Sequence, residues 1–365
     1  MGGGGANSSL QSSSRFLELD FIRGTAALTV AIYHWLGKAY VYSEEMVLFQ
    51  GAPFAVDIFF ILSGFVMSYA YGKRIEEGKI GLGSFALLRI GRLYPLIVIS
   101  STLAIVAYWI VYKRFLIADT SVAESIFMNA FLFQGILGKF DGFIGVFWSI
   151  GIEFWVSLTL FYGVTRYKAY FINFLIVLTL LFYAYGGKNS LFFGIDVGAI
   201  NDNIRRGLLG VGLGIIAYQI YLAYKDAAFS ERTKTVLTSL FYLLFFLIFV
   251  YMIAPRKNMG GVNNVFVEAL VCAMVTLGAL LKNQCKLFCA KWQSWLGDIS
   301  YSVYIFHMFV VWLMARLIKR LDFGFELGTI FGAIFVVIVT CIVSHYSHKY
   351  IEKPAYKWFR GKIGK

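Results

Sequence analysis

Residues 236–254, VLTSLFYLLFFLIFVYMIA, run for nineteen positions without a charged side chain. A helix rises 1.5 Å per residue, so about twenty such residues cross the roughly 30 Å hydrocarbon core of a bilayer. The same signal recurs along the chain and predicts ten spans, at about 24–42, 52–72, 93–112, 143–164, 169–187, 207–224, 236–254, 262–281, 296–315 and 327–344. Composition agrees: 59% of the 365 residues are hydrophobic and 15% charged, against about 25% charged in soluble domains. The expected fold is an all-α polytopic membrane protein of about ten transmembrane helices. A shorter, interrupted apolar stretch at 121–138, SVAESIFMNAFLFQGILG, reads as re-entrant or interfacial. Residues 1–15 are Gly/Ser-rich and expected to be disordered. Residues 16–348 are expected to form one transmembrane domain, and 349–365 a basic cytoplasmic tail.

An even number of spans places both termini on one side. Putting the amino terminus in the cytoplasm assigns most of the 33 Lys and Arg residues to inner segments, above all to HKYIEKPAYKWFRGKIGK at the end. The net charge of +13 is therefore read as loop charge that orients a membrane protein, and no nucleic-acid partner is expected. Cys272, Cys285, Cys289 and Cys341 make neither a disulfide nor a zinc pattern, so no metal is expected.

A charge at mid-membrane costs about 2.5–3.5 kcal/mol on insertion scales, so each ionisable group inside a span needs a reason. His34 lies within the first span, eleven positions after Arg23. Three turns separate them, which puts both on one face about 16 Å apart along the axis. The second span holds Asp57, the fourth holds Glu153 with Ser149 one turn earlier, and the ninth holds His307. Facing a shared polar interior satisfies all four ionisable groups at least cost. A histidine beside a carboxylate makes a general base, and the same set would serve equally as a proton relay in a transporter. Arg89 and Arg92, one turn apart at the start of the third span, offer forked donors suited to phosphate oxygens; simple membrane anchoring is the plainer reading. Trp148, Trp155, Trp35 and the tyrosines, Tyr33 among them, are aromatics of the kind found at membrane interfaces. In a carbohydrate site they would stack on sugar faces.

Taken together, the motifs resemble the acyltransferase 3 family of membrane proteins. FLELDFIRGTAALTVAIYHW is similar to that family's opening, FAVDIFFILSGFVMS to its second-span signature, and RIGRLYPL to its RxxR motif. FWSIGIE matches its Trp-Ser-x-x-x-Glu element, and ISYSVYIFH and YIEKP resemble its closing segments. The likeness runs from about residue 16 to residue 356. It implies transfer of an acyl group, usually acetyl, from cytoplasmic acyl-coenzyme A to a hydroxyl of an extracytoplasmic glycan or glycolipid, in the bacterial plasma (inner) membrane. By the same resemblance His34 is the essential histidine and Arg23 its companion. Arg89 and Arg92 belong to the cofactor side, and Trp148, Ser149 and Glu153 to the active-site element. Leu88 stands where relatives often carry a further basic residue. Some relatives append an SGNH-type esterase domain; a stand-alone form is expected here.

The mechanism expected from these residues has Arg23, Arg89 and Arg92 holding the donor's phosphates while the thioester reaches His34. His34 would take the acceptor's proton, with Glu153 or Asp57 orienting its ring, and Trp148, Ser149 or a backbone amide stabilising the oxyanion. His307, Trp35 and Tyr33 would contact the substrate. An acyl-histidine intermediate is the competing chemistry. The alternative class is a proton-coupled glycolipid or sugar transporter that uses His34, Asp57 and Glu153 as a relay. Acceptor, acyl chain and oligomeric state stay open.

Overall fold

A computed structural model of the chain describes residues 15–39, 48–112, 122–136, 144–168, 202–254, 262–321 and 325–363. These residues are helical almost throughout, and no strand occurs among them. In chain order the helices are α1 (Leu17–Ala39), α2 (Ala55–Glu76), α3 (Leu82–Tyr112), the short α4 (Val122–Phe131) and α5 (Phe147–Tyr167). There follow α6 (Asp202–Tyr224), α7 (Glu231–Ile253), α8 (Val262–Leu281), α9 (Lys291–Leu321), α10 (Phe325–Ser347) and α11 (Lys353–Ile363). Among the described residues, 7 helices are long and apolar enough to cross a membrane, which makes this an all-α multi-pass membrane fold. Val265–Leu281 is apolar but shorter, and α1 carries Glu18, Asp20 and Arg23 in its first two turns. The span expected at 169–187 and residues 1–14 lie outside the described residues. Arg15, last of the Gly/Ser-rich stretch, pairs with Asp20 and, at 2.6 Å, with Asp298.

Within lipid no hydrophobic effect drives helices together, so close packing of small residues does. Gly64 of α2 and Gly214 of α6 meet backbone to backbone: a Cβ on Gly214 would lie 2.1 Å from the Ile61 carbonyl oxygen. On α9, a Cβ at Gly297 would lie 2.5 Å from the Asp20 Cβ of α1. The second contact matters most for the site. It holds α1 and α9 parallel and close, with Arg23 against Gly297 at one level and His34 against His307 three turns further on. Large side chains such as Phe246, Ile330 and Ile338 remain exposed on the outer surface, where lipid would cover them.

The interrupted stretch at 121–138 is a non-spanning helix and turn where it is described. After α4, Leu132 and Gly135 adopt φ of 54 and 74° and fold the chain back onto α5. There Phe133 stacks on Trp155 at 5.1 Å, and the Trp155 indole donates to the Phe131 carbonyl at 3.0 Å. At the other end of the chain, α10 passes through a π turn (His348–Glu352) into α11. The basic tail is thus a helix as far as Ile363. It lies along the start of α3, with Phe359 against Gly91. The starts of α1, α3 and α9 and the ends of α2, α5 and α10 share one face, tied by Lys168–Glu76, Arg92–Glu352 and a 3.0 Å Trp295–His345 hydrogen bond. Both described ends of the chain lie on it.

Candidate active site

Three arginines meet near that face, and each is already paired with a carboxylate. Arg23 donates to Asp20 at 3.0 Å, to the Gly297 carbonyl at 2.7 Å and to Ser300 Oγ at 2.9 Å. Arg89, 7% exposed, forms an ion pair with Glu153, and its Nε has no hydrogen-bond partner among the described residues. Arg92 pairs with Glu352, whose other oxygen accepts from Ser302 at 2.9 Å and lies 3.1 Å from His348 Nδ1. Pro95 stands one turn after Arg92 within α3. It lacks the amide hydrogen that would close the local helix turn, and Tyr301 of α9 donates to the nearby Leu93 carbonyl at 2.8 Å.

The arginines line one end of a cavity of about 300 Å³, a size within the roughly 300–1,000 Å³ of small-molecule sites. Along α2 its wall extends from Tyr71 back to Val56, about 22 Å at 1.5 Å per residue. Tyr71 and Tyr356 of α11, joined by a 2.8 Å hydrogen bond, stand at the arginine end. Further along are Ser149 and Tyr304, whose hydroxyls lie 2.6 Å apart. The cavity therefore combines a mouth of paired arginines, with Glu153 among them, and a mostly apolar interior that carries the hydroxyls of Ser63, Ser149 and Tyr304.

His34 does not line this cavity. It is half-buried at the α1–α9 interface, level with His307, which lies one turn beyond Tyr304. His34 Nδ1 is 3.0 Å from the Val30 carbonyl and 3.1 Å from His307 Nε2. His307 Nδ1 is 2.8 Å from the Tyr304 carbonyl.

Among the described residues no carboxylate bonds the His34 ring. Glu153 accepts from Arg89 and, at 2.7 Å, from Ser63. Asp57 makes a forked pair with Arg206 of α6, at 2.9 and 2.7 Å. Each carboxylate is alone in its own span, and spacing along one helix cannot reveal a cation on another. His307 is fully buried and Trp35 is 1% exposed. The Trp35 ring packs on Gly332 and its indole donates to the Thr329 carbonyl at 3.0 Å. Tyr33 packs edge-on to His34 at 5.1 Å, and Trp148 faces the Arg206 guanidinium at 5.3 Å. Sequence reasoning passed over Ser63, Arg206, Tyr304 and Glu352. Arg206 and Glu352 were visible as charges at span ends, but nothing in their local sequence named their partners.

Outside the spans, the segment between α8 and α9 folds over Glu18, which accepts from the backbone amides of Asn283 and Cys285 at 2.9 and 3.2 Å. Burial, then the Glu18 carboxylate, pushes the Cys285 thiol up to about 12 and that of Cys289 to about 11. No three His, Cys, Asp or Glu side chains converge in a metal-binding cluster among the described residues.

Comparison with known proteins places this geometry in context. The chain is 25% identical over 383 residues to a putative peptidoglycan O-acetyltransferase, YrhL, of Bacillus subtilis, covering 92% of this chain and 54% of that protein. It is 23% identical over 368 residues to the peptidoglycan O-acetyltransferase OatA of Listeria monocytogenes, covering 93% and 55%. A shorter match, 44% identical over 98 residues, is to protein 2 in the picA locus of Rhizobium radiobacter, covering 26% of this chain and 47% of that protein. The chain thus spans about half the length of these three relatives. No solved structure matches it. The family model described as an acyltransferase domain, acyltransferase 3, matches residues 16–346, and the chain belongs to that family.

Proposed function

We propose that this protein is a membrane O-acyltransferase, with acetyl-coenzyme A as donor and a hydroxyl of an extracytoplasmic glycan as acceptor. The observations that carry the reading are a half-buried His34, whose Nε2 is free of hydrogen bonds among the described residues, and a cavity that starts among three arginines and reaches Tyr304, whose carbonyl bonds the His307 ring beside His34. The donor's phosphates would meet Arg89, Arg92 and Arg23, displacing their carboxylates in part, and the unpaired Arg89 Nε is a ready donor. The pantetheine arm would lie along the cavity, whose walls are mostly apolar with a few hydroxyls, and the acceptor would come from the opposite face. The names of YrhL and OatA favour a peptidoglycan-like glycan. Membership of an acyltransferase family favours group transfer over a transporter's proton relay.

In the reaction His34 Nε2 takes the hydroxyl proton as the oxygen attacks the thioester carbonyl. The carbon–sulfur bond then breaks, and the proton passes from His34 to the departing sulfur, giving the ester and free coenzyme A. Tyr304 and Ser149, whose hydroxyls meet in the cavity wall, would serve as donors for the oxyanion.

The test uses purified protein in lipid nanodiscs, radiolabelled acetyl-coenzyme A, and chitopentaose or purified peptidoglycan. Wild type releases coenzyme A and labels the glycan, whereas His34→Ala lowers transfer by about 10²–10⁴-fold without loss of folded protein. A well-folded His34→Ala protein with wild-type transfer refutes the assignment. So does a wild-type protein that leaves the thioester intact with both acceptors.

A further inference from the structure

We propose that His307 is a positioning residue that sets the proton on His34, taking the part a carboxylate plays in a Ser-His-Asp triad. The inference rests on the reading of His34 as the base and deepens it. His307 is 0% exposed on α9. Its Nδ1 faces two carbonyl oxygens, of Tyr304 at 2.8 Å and of Val303 at 3.3 Å. Carbonyls accept and do not donate, so Nδ1 carries the hydrogen. A neutral imidazole has one N–H, which leaves the lone pair of His307 on Nε2. The ring has no carboxylate partner among the described residues, and a buried charge without one is costly.

That lone pair points at His34 Nδ1, 3.1 Å away, and the Val30 carbonyl points at the same atom from 3.0 Å. Both neighbours are acceptors, so His34 holds its hydrogen on Nδ1. Its own lone pair is then on Nε2, the nitrogen that faces no described partner. A tautomer able to accept a proton at the open nitrogen is what a general base requires.

The pair also acts during the reaction. When His34 takes the hydroxyl proton at Nε2, positive charge spreads over the ring and its Nδ1–H bond to His307 strengthens, since charge-assisted hydrogen bonds are about twice as strong as neutral ones. The two carboxylates of the neighbouring spans cannot take this role, because Glu153 is engaged by Arg89 and Ser63 and Asp57 by Arg206. A neutral partner holds the tautomer without adding a second ion to the span. When the proton leaves on sulfur, His34 is again neutral with its hydrogen on Nδ1, and His307 has kept its tautomer throughout.

Two substitutions and one spectrum test this. His307→Phe keeps a ring but offers no acceptor, whereas the amide oxygen of His307→Gln can stand where Nε2 stood. In the nanodisc assay His307→Phe should lower kcat by about ten- to a hundredfold, the worth of a hydrogen bond to a charged group. Its KM for acetyl-coenzyme A should not move, because Arg23 lies three turns away along α1 and Arg89 and Arg92 belong to α3, which makes no hydrogen bond to either histidine among the described residues. His307→Gln should recover most of kcat, a rescue that a purely structural role would not give. The chain has 4 histidines, so 15N spectra of histidine-labelled protein can be assigned with single substitutions. They should show the hydrogen of His34 on Nδ1.

A wild-type His34 protonated on Nε2 overturns the proposal, even if His307→Phe fails to fold. Equal losses in kcat for the Phe and Gln variants, or a folded His307→Phe protein with wild-type kcat, also overturn it. The two readings fail separately. Transfer that survives His34→Ala removes the base itself, whereas transfer that needs His34 but ignores His307 removes this role alone.

Discussion

Glu153→Gln separates two roles for the carboxylate of the Trp-Ser-x-x-x-Glu element. In the structure it is the counter-ion of Arg89, and it accepts from Ser63 at 2.7 Å. Glutamine keeps an acceptor oxygen but removes the charge, leaving Arg89, 7% exposed, as an unneutralised cation at the cavity wall. Breaking a buried pair from one side costs about 3–5 kcal/mol. The Glu153 side chain is 22% exposed, so the lower end of that range applies. A polyanion bound at the same place would recover the loss. Coenzyme A should therefore bind the variant more tightly, by about tenfold for each 1.4 kcal/mol of competition removed. The assay is thermal unfolding followed by the fluorescence of the 8 tryptophans, with and without coenzyme A. The variant should melt below wild type alone and gain more from coenzyme A, while kcat changes little. If instead melting and coenzyme A affinity match wild type and kcat falls by about 10⁴-fold, as when a triad carboxylate is neutralised, Glu153 orients His34 and the argument from geometry is wrong.

Two further outcomes follow from groups away from the histidines. Asp57→Leu should destabilise the fold by about 3–5 kcal/mol by stranding Arg206, while Asp57→Leu with Arg206→Leu should recover most of the loss; strictly additive losses in thermal melts would refute this. At pH 8, Cys289 with its thiol near 11 should react with iodoacetamide about a hundredfold more slowly than a thiol of ordinary pKa, because the thiolate is the reactive form. The rate should rise as pH climbs toward 11, since the proton held by burial and by Glu18 is lost only there. Wild-type Cys289 that alkylates at the rate of a free thiol would show that neither burial nor Glu18 holds its proton.

The membrane fold was legible from local sequence because hydrocarbon imposes a local rule: a span needs about twenty apolar residues whatever its neighbours are. The 236–254 run, the interrupted 121–138 stretch and the basic ending could each be read without knowing what packs beside them. His34 and Arg23 could be placed on one face because helical periodicity is also local. Pairing is not local. Asp57 and Glu153 looked alike in sequence, each a lone carboxylate in an apolar span. Their partners, Arg206 and Arg89, lie 149 and 64 residues away in the chain. His307 read in sequence as a substrate contact, and the fold buries it against His34, because Gly297 lets α9 run close beside α1. Trp35 looked like a sugar platform, and the missing side chain of Gly332 makes it a packing residue. Residue types and their heights in the membrane follow from the order of residues. Which charge neutralises which, and which nitrogen stays open, follow from helix contacts between segments far apart in sequence.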